Sequence, residues 1–535
     1  MDTLLTWTTA RLRTAFATGE TTPLQALEAT LEQVRSVNPA INAVVALDEA
    51  GARKAARAAG ERWASGTPLS PLDGVPVSVK DSIAAVGMPW RHGTAPNDTL
   101  ADSTVDAPPT ARLREAGAVV FAKTAMPDFG MSASGVSSLY GITRNPWDLR
   151  RSPGGSSSGA GAALAAGIGW GAVGSDIAGS VRLPAGHCGL VALKPTQGRI
   201  PHLPSSTVRS AGPMARTVAE VSELYDVIAR PDHRDELSLP TEPTEPIELT
   251  EPAETPATMP TGTIGGDWTH RRRLRVGVLL DLGYGRELDP RIVAVVRRAA
   301  DVLASGSGSG SGSDGVPAEV VDIPAPFHDD PYPALDRVFQ VRARTEWEAF
   351  DPAARARVQP QITRWSAAAD RYAATDLERS VAAVARARTQ LAAAVAGFDV
   401  VLAPVLPVLT FDAEAIGVDP EHPLAHCGYT CWFNQTGQPA AALCFGMVEG
   451  LPVGIQVIGP RFADRRVLQV AAHLESRRGF VPDWPFLPRP TAHLSARPAA
   501  RPATRATADS ARAVSPAVSS TALGGLTNLT DPLPA

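Results

Sequence analysis

Apolar residues first recur at helical spacing in Leu24, Leu27, Leu31 and Val34. They follow Thr22-Pro23-Leu24-Gln25, where a Thr N-cap, a first-turn proline and a Gln in the capping-box position mark a helix start. Asn38-Pro39 reads as the end of this helix, because proline has no N–H to continue the ladder. Residues 41–47 then read as a strand and 50–64 as an alanine-rich helix. Short apolar, β-prone runs follow at 75–79, 118–121, 191–193, 274–280, 318–323, 400–402 and 453–458. Helical stretches such as 290–304 fall between several of them. Apolar strands alternating with helices predict an α/β protein built round one large mixed sheet.

Three stretches fall outside this pattern. Residues from about 241 to 262 are rich in Thr, Glu and Pro and cannot bury a face, so they read as a disordered insertion. Residues 305–315 repeat Gly and Ser without an apolar side chain and read as a flexible loop. From 486 to 535 the chain turns Ala-, Pro-, Ser- and Thr-rich without periodicity, which reads as a disordered tail. The expected catalytic domain is therefore 1–485.

Composition narrows the choice of function. An apolar fraction of 44% and a charged fraction of 20% are those of a globular chain. The net charge of −5 over 535 residues, without a basic stripe, argues against a nucleic-acid partner. Four cysteines are too few for a disulfide framework and fit a reducing compartment, so a cytoplasmic location is expected. The start of the chain has no basic region followed by an apolar core, and no membrane association is expected. The uncharged run 156–175 is long enough to span a bilayer, but its six glycines gain too little from lipid.

That same run carries the candidate chemistry. Arg151-Ser152-Pro153-Gly154-Gly155-Ser156-Ser157-Ser158-Gly159 leads directly into the small residues 160–166, sized for close helix packing. Unlike the Gly/Ser repeat at 305–315, a loop joined to a buried helix is ordered. A second serine follows in Ser175-Asp176-Ile177-Ala178-Gly179-Ser180-Val181-Arg182-Leu183-Pro184. Gly155 to Gly159 also fits Gly-x-Ser-x-Gly, which would make Ser157 the nucleophile of an α/β-hydrolase elbow. The residues before it form a polar turn where that elbow needs a strand, and none of His187, His202, His422 or His426 has a distinctive setting. A lysine can serve as base where burial keeps its amine neutral, and Lys80 closes the apolar run from Val75 to Val79. His426, Cys427 and Cys431 bring three ligand-type residues together without a second cluster, which is too little for a metal site. His187 and Cys188 read as packing residues.

The run from Gly154 to Pro184 resembles the defining segment of the amidase signature family, and Gly74 to Asp81 resembles its lysine segment. Lys123 to Gly130, Tyr140 to Trp147, Phe433 to Ala440 and Gly450 to Gln456 are similar to further motifs of that family, in its order along residues 20–480. The resemblance implies an α/β fold with a large mixed β-sheet covered by helices on both faces. It also implies a Ser-Ser-Lys triad in which Lys80 is the base, Ser156 the proton-relaying serine beside a cis peptide bond, and Ser180 the nucleophile.

In the same way it implies oxyanion or substrate contacts from Ile177, Ala178, Gly179 and Gly130, with the Ser180 N–H among the donors. It gives supporting roles to Asp176 and Arg182 at this loop and to Ser157 at the lysine. Two positions depart from the family pattern: Ala178 and Ser158 stand where glycine is common, and a positive φ at Ala178 would be strained. The expected function is hydrolysis of a small-molecule amide to a carboxylic acid and ammonia or an amine, without metal or cofactor. Carbamate or ester hydrolysis, or a glutamine-hydrolysing amidotransferase subunit, are the alternatives, and a homodimer stays open as an assembly. Trp347, Trp365 and Phe411 are candidate pocket residues, though core packing suits each of them.

Overall fold

The computed structural model describes residues 4–241, 273–305 and 318–485, all within one compact unit, Met1–Arg489. Beyond Thr241 and Ser305 themselves, the expected insertion at 241–262, the loop at 305–315 and the tail at 486–535 lie outside the described residues.

Eleven strands form a single mixed sheet. In chain order they are β1 (Val44–Leu47), β2 (Pro76–Lys80), β3 (Val119–Thr124), β4 (Gly171–Asp176), β5 (Val191–Lys194), β6 (Ser210–Ala215), β7 (Leu274–Val278), β8 (Ala318–Asp322), β9 (Val400–Pro404), β10 (Ala440–Val448) and β11 (Leu451–Ile458). Their order across the sheet is β1-β3-β2-β4-β6-β5-β10-β11-β9-β7-β8. Strand β2 runs parallel to both β3 and β4, while β4, β6, β5, β10, β11 and β9 pair antiparallel in turn.

Successive side chains of a strand point to opposite faces, and here the two faces differ in residue size. Val173, Val191, Leu193, Val400, Leu402 and Leu443 point to one face, where the helices Val218–Ile228, Pro290–Ser305 and Asp464–Arg477 cover them. Ala172, Ala192, Ala403, Ala440 and Ala442 point to the other and meet the helices Ser158–Ala165, Arg182–Cys188 and Gly428–Gln435. The small face lets these helices approach the sheet. A Cβ on Gly454 of β11 would lie 2.7 Å from the Gly186 Cα, so backbone rests on backbone there. Such packing accepts no added methyl without a shift costing about 1–3 kcal/mol.

The helix begun by Thr22 carries the expected capping box, with Gln25 bonded back to the Thr22 N–H. It runs through Pro39 to Ile41 instead of stopping at Asn38. Proline forfeits only one bond of the last turn, and the Asn38 side chain accepts from the Ala43 and Val44 N–H groups, fastening the exit. The strand after it is consequently shorter than expected, Val44–Leu47. Strands β4, β6 and most of β10 are poor in β-branched residues and escape the hydrophobic pattern. Among the described residues no helix is long and apolar enough to cross a membrane, and the run 156–175 divides into the helix Ser158–Ala165 and most of β4.

Candidate active site

Lys80 is the last residue of β2, between β3 and β4, and is 1% exposed. Its Nζ donates to Ser156 Oγ at 2.8 Å and to Ser175 Oγ at 3.0 Å. Burial lowers its pKa to about 7. The carboxylates of Asp176 and Asp81 oppose that shift, and the Arg209 cation adds to it. Ser156 follows a cis Gly155–Ser156 peptide bond, at the entry to the helix Ser158–Ala165.

Ser180 lies on the turn between β4 and the helix Arg182–Cys188. The Ser157 N–H donates to the Ser180 carbonyl at 3.1 Å, which ties the two serine segments together. The Ser180 hydroxyl makes no hydrogen bond to the described residues. Gly130 closes the other side, where a Cβ would lie 3.2 Å from Ser156 Oγ. Its N–H is committed to the Pro127 carbonyl, so Gly130 offers space at the site and no free donor.

The turn at 177–181 is held from beneath. Asp176 and Arg182 are both fully buried, and Arg182 grips the carboxylate with Nε at 3.0 Å and Nη2 at 2.9 Å. Its remaining donors reach Asn434 Oδ1 (2.6 Å), the Thr430 carbonyl (3.0 Å) and Gln456 Oε1 (2.8 Å). All five guanidinium N–H groups are thus used. Burial alone would raise the Asp176 pKa, but Arg182 and the Asn434 amide hold it well below the usual carboxylate range.

Gly179 and Val181 donate their N–H groups to Asp176 at 2.8 and 3.2 Å, and Thr430 Oγ1 donates to the Ala178 carbonyl at 2.6 Å. The Gly179 N–H is therefore unavailable to an oxyanion, contrary to expectation. The N–H groups of Ile177, Ala178 and Ser180 have no hydrogen-bond partner among the described residues. The concern over Ala178 does not arise, because the positive φ of this turn, +121°, falls on Gly179.

Ser157, expected at the lysine, instead donates to the Ser175 carbonyl at 3.4 Å, and Ser175 supplies the second hydroxyl on Lys80. The hydrolase elbow is not assembled either. Ser157 is fully buried, and His187 faces the Ser152 carbonyl and Thr410 Oγ1. His426, Cys427 and Cys431 are buried, and among the described residues no three His, Cys, Asp or Glu side chains form a group that could hold a metal. Trp365 and Phe411 are buried in the core.

Sequence reasoning missed Ser175, Thr430, Asn434 and Gln456. Asn434 and Gln456 lie inside C-terminal segments that the family resemblance sets apart. Their roles need the fold, which brings residues 252 and 274 positions away onto Arg182.

A family model described as Amidase matches residues 25–468. A glutamyl-tRNA(Gln) amidotransferase subunit from Symbiobacterium thermophilum is 33% identical over 520 residues, covering 92% of this chain and 98% of that protein. The protein of the same name from Salinispora tropica is 31% identical, covering 91% of this chain and 99% of its own length. Among solved structures, one described as an amidase is 30% identical with a TM-score of 0.69, covering 88% of this chain and 100% of the other. A 6-aminohexanoate cyclic dimer hydrolase complexed with substrate is 28% identical with a TM-score of 0.74, covering 90% and 98%.

Proposed function

The chain belongs to the amidase signature family, whose enzymes act on carbon–nitrogen bonds, and from that premise we propose that it hydrolyses a linear amide through an acyl-enzyme on Ser180. The observation that carries this reading is a buried lysine, its pKa lowered to about 7, held 2.8 Å from the Ser156 hydroxyl. Neutral Lys80 takes a proton from Ser156, which takes one from Ser180 as that oxygen attacks the amide carbon. The oxyanion forms facing the N–H groups of Ile177, Ala178 and Ser180, which are fixed in place by Asp176 and Arg182. As the C–N bond breaks, the proton returns through Ser156 to the leaving nitrogen. Water then attacks the ester carbonyl by the same relay and releases a carboxylic acid.

A second reading is favoured by the relatives described as glutamyl-tRNA(Gln) amidotransferase subunits. Here the substrate is glutamine, and a protein partner consumes the ammonia.

The test is product formation from a panel of primary amides, anilides, carbamates, esters and glutamine, with the purified chain and with Ser180→Ala and Lys80→Ala. We expect turnover of at least one amide by the chain alone and its loss in both variants. Turnover that survives Ser180→Ala overturns the nucleophile. Glutaminase activity that appears only with added partner proteins, with no other amide consumed, transfers the assignment to the second reading. Size-exclusion chromatography of the same sample reports whether the chain is a monomer or a homodimer.

A further inference from the structure

The loop 152–156 delivers Ser156 to Lys80, and a histidine near the end of the helix Arg182–Cys188 holds the root of that loop. Gly154 and Gly155 have no side chains with which to grip their surroundings, so the backbone itself is held. Gly154 rests on the helix, where a Cβ would lie 3.1 Å from the Leu183 carbonyl carbon and from the Pro184 nitrogen. Gly155 rests against residue 134, where a Cβ would lie 2.3 Å from the Ser134 carbonyl oxygen.

Three side chains converge on one acceptor at the root of the loop, the buried Ser152 carbonyl. His187 Nδ1 lies 3.1 Å from it, and Asn145 Nδ2 and Thr410 Oγ1 each donate to it at 3.3 Å. The next residue of the helix reaches the next carbonyl of the loop, with Cys188 Sγ 3.5 Å from the Pro153 oxygen. The Ser152 N–H donates to the Phe411 carbonyl at 2.8 Å, which fixes the same residue from the other side. Asn145 also donates to the His187 carbonyl at 3.0 Å, and Trp147 Nε1 to the Cys188 carbonyl at 2.9 Å, so the helix end is itself anchored. His187 and Cys188, which the sequence reads as packing residues, thus both aim a polar atom at the serine loop.

A carbonyl oxygen only accepts, so the His187 ring carries its proton on Nδ1. Its Nε2 is buried without a hydrogen-bond partner among the described residues, and the ring stands edge-on to Phe411 with centroids 5.7 Å apart. One nitrogen therefore makes every polar contact of this ring. Burial pushes the pKa of His187 down to about 4, which keeps the imidazole neutral where Lys80 is neutral.

We propose that His187 is a positioning residue: through Nδ1–H on the Ser152 carbonyl it ties the loop ending in Ser156 to the helix that follows Ser180, and so sets the path along which the proton passes between the two serines. This rests on the amide-hydrolysis reading above and adds a residue to its machinery.

The experiment compares the full chain with His187→Asn, His187→Gln and His187→Phe on the amide that the parent turns over fastest. Asn places an amide N–H where Nδ1 stands, Gln places one where Nε2 stands, and Phe keeps the ring without either nitrogen. Thermal unfolding of each variant sets an assay temperature below every transition. In the Phe and Gln variants kcat is expected to fall about tenfold or more, with KM changed by less than about twofold, as befits a small displacement of reacting groups. The Asn variant should regain most of the rate.

Equal losses in all three variants, an unchanged kcat in folded His187→Phe, or a loss confined to KM make His187 a packing residue and overturn the proposal while leaving amide hydrolysis intact. If the parent consumes no amide, the hydrolysis reading fails, and sulfonylation of Ser180 by phenylmethanesulfonyl fluoride, followed by intact mass, decides the positioning role separately. Slower modification in the Phe and Gln variants than in the parent and the Asn variant sustains it. Equal rates, or no modification of any chain, remove it.

Discussion

The Asp176 carboxylate accepts the N–H of Gly179 at 2.8 Å, turning that donor inward, away from the space in front of Ser180. Because the carboxylate also takes the Val181 N–H and two Arg182 donors, the turn carrying Ser180 is clamped on both sides. The N–H groups left free on this turn are those of Ile177, Ala178 and Ser180.

Breaking the clamp should damage the fold before it damages the chemistry. Arg182→Met leaves Asp176 buried without its counter-charge, a situation worth about 3–5 kcal/mol of lost stability. Urea denaturation of the variant and the parent measures this directly. A loss below about 1 kcal/mol, the range of exposed pairs, would show that the pair is not the clamp described here.

Gly179 and Ala178 should respond in opposite ways to a single methyl group. At Gly179 the φ of +121° is one that side-chain-bearing residues avoid, and an added Cβ would lie 2.3 Å from Thr430 Oγ1. Gly179→Ala should displace Thr430 from the Ala178 carbonyl, tilt the free donors and lower kcat by about 10²-fold, the effect of losing one oxyanion donor. Ala178→Gly should change kcat far less. Steady-state kinetics of the two variants, with circular dichroism to confirm folding, separates them. Equal losses would contradict this account of the turn.

The contrast between these two neighbours shows what the chain reveals unaided. Lys80 and Ser156, joined by a 2.8 Å hydrogen bond, and Ser180, whose carbonyl accepts the Ser157 N–H, stand out in sequence because their motifs are local. Strand β2 is legible from Val75 to Val79, since a β-branched run declares itself. Strand β4 is not: Gly171 to Asp176 has little β-propensity, and its strand form comes from pairing with β2 on one side and β6 on the other. Once β4 is a strand, Ser175 and Asp176 point to opposite faces, one toward Lys80 and the other toward Arg182. For this reason Ser175, and not Ser157, is the second hydroxyl on the lysine. The assignment of Gly179 as a free donor fails on a similar point, because its N–H direction depends on the Asp176 side chain.

Ser175 is a positioning residue, and its removal should affect rate more than binding. Ser175→Ala takes away one of two hydroxyl partners of Lys80 Nζ, leaving the amine free to swing from Ser156. A kcat about tenfold lower with little change in KM is the expected result, the size of a single net hydrogen bond of about 1.4 kcal/mol. Ser175→Thr keeps the hydroxyl and should restore most of the rate. Failure of Thr to rescue, or a loss confined to KM, would assign Ser175 a packing or substrate role instead.

The lysine also fixes how activity and stability vary with pH. The proposed base can accept a proton only when neutral, and burial has lowered its pKa from 10.5 to about 7. Below that value kcat/KM should fall tenfold per pH unit, and above it should level off. Arg209 destabilises the ammonium form, so Arg209→Gln should move this limb to higher pH. Stability follows from the same shift. Between about pH 7 and 10 the unfolded chain binds a proton at Lys80 that the folded chain does not, so this group makes stability rise with pH across that window and fall again as the pH drops to 7. Lys80→Met removes the slope, although Lys194 and Lys123, lowered by burial to about 7 and about 8, retain theirs. Urea midpoints of the parent and Lys80→Met should therefore diverge progressively from pH 10 down to pH 7, with the parent losing more. Parallel curves, together with a pH–rate limb far above 7, would show Lys80 to be charged in the folded protein and unable to serve as the base.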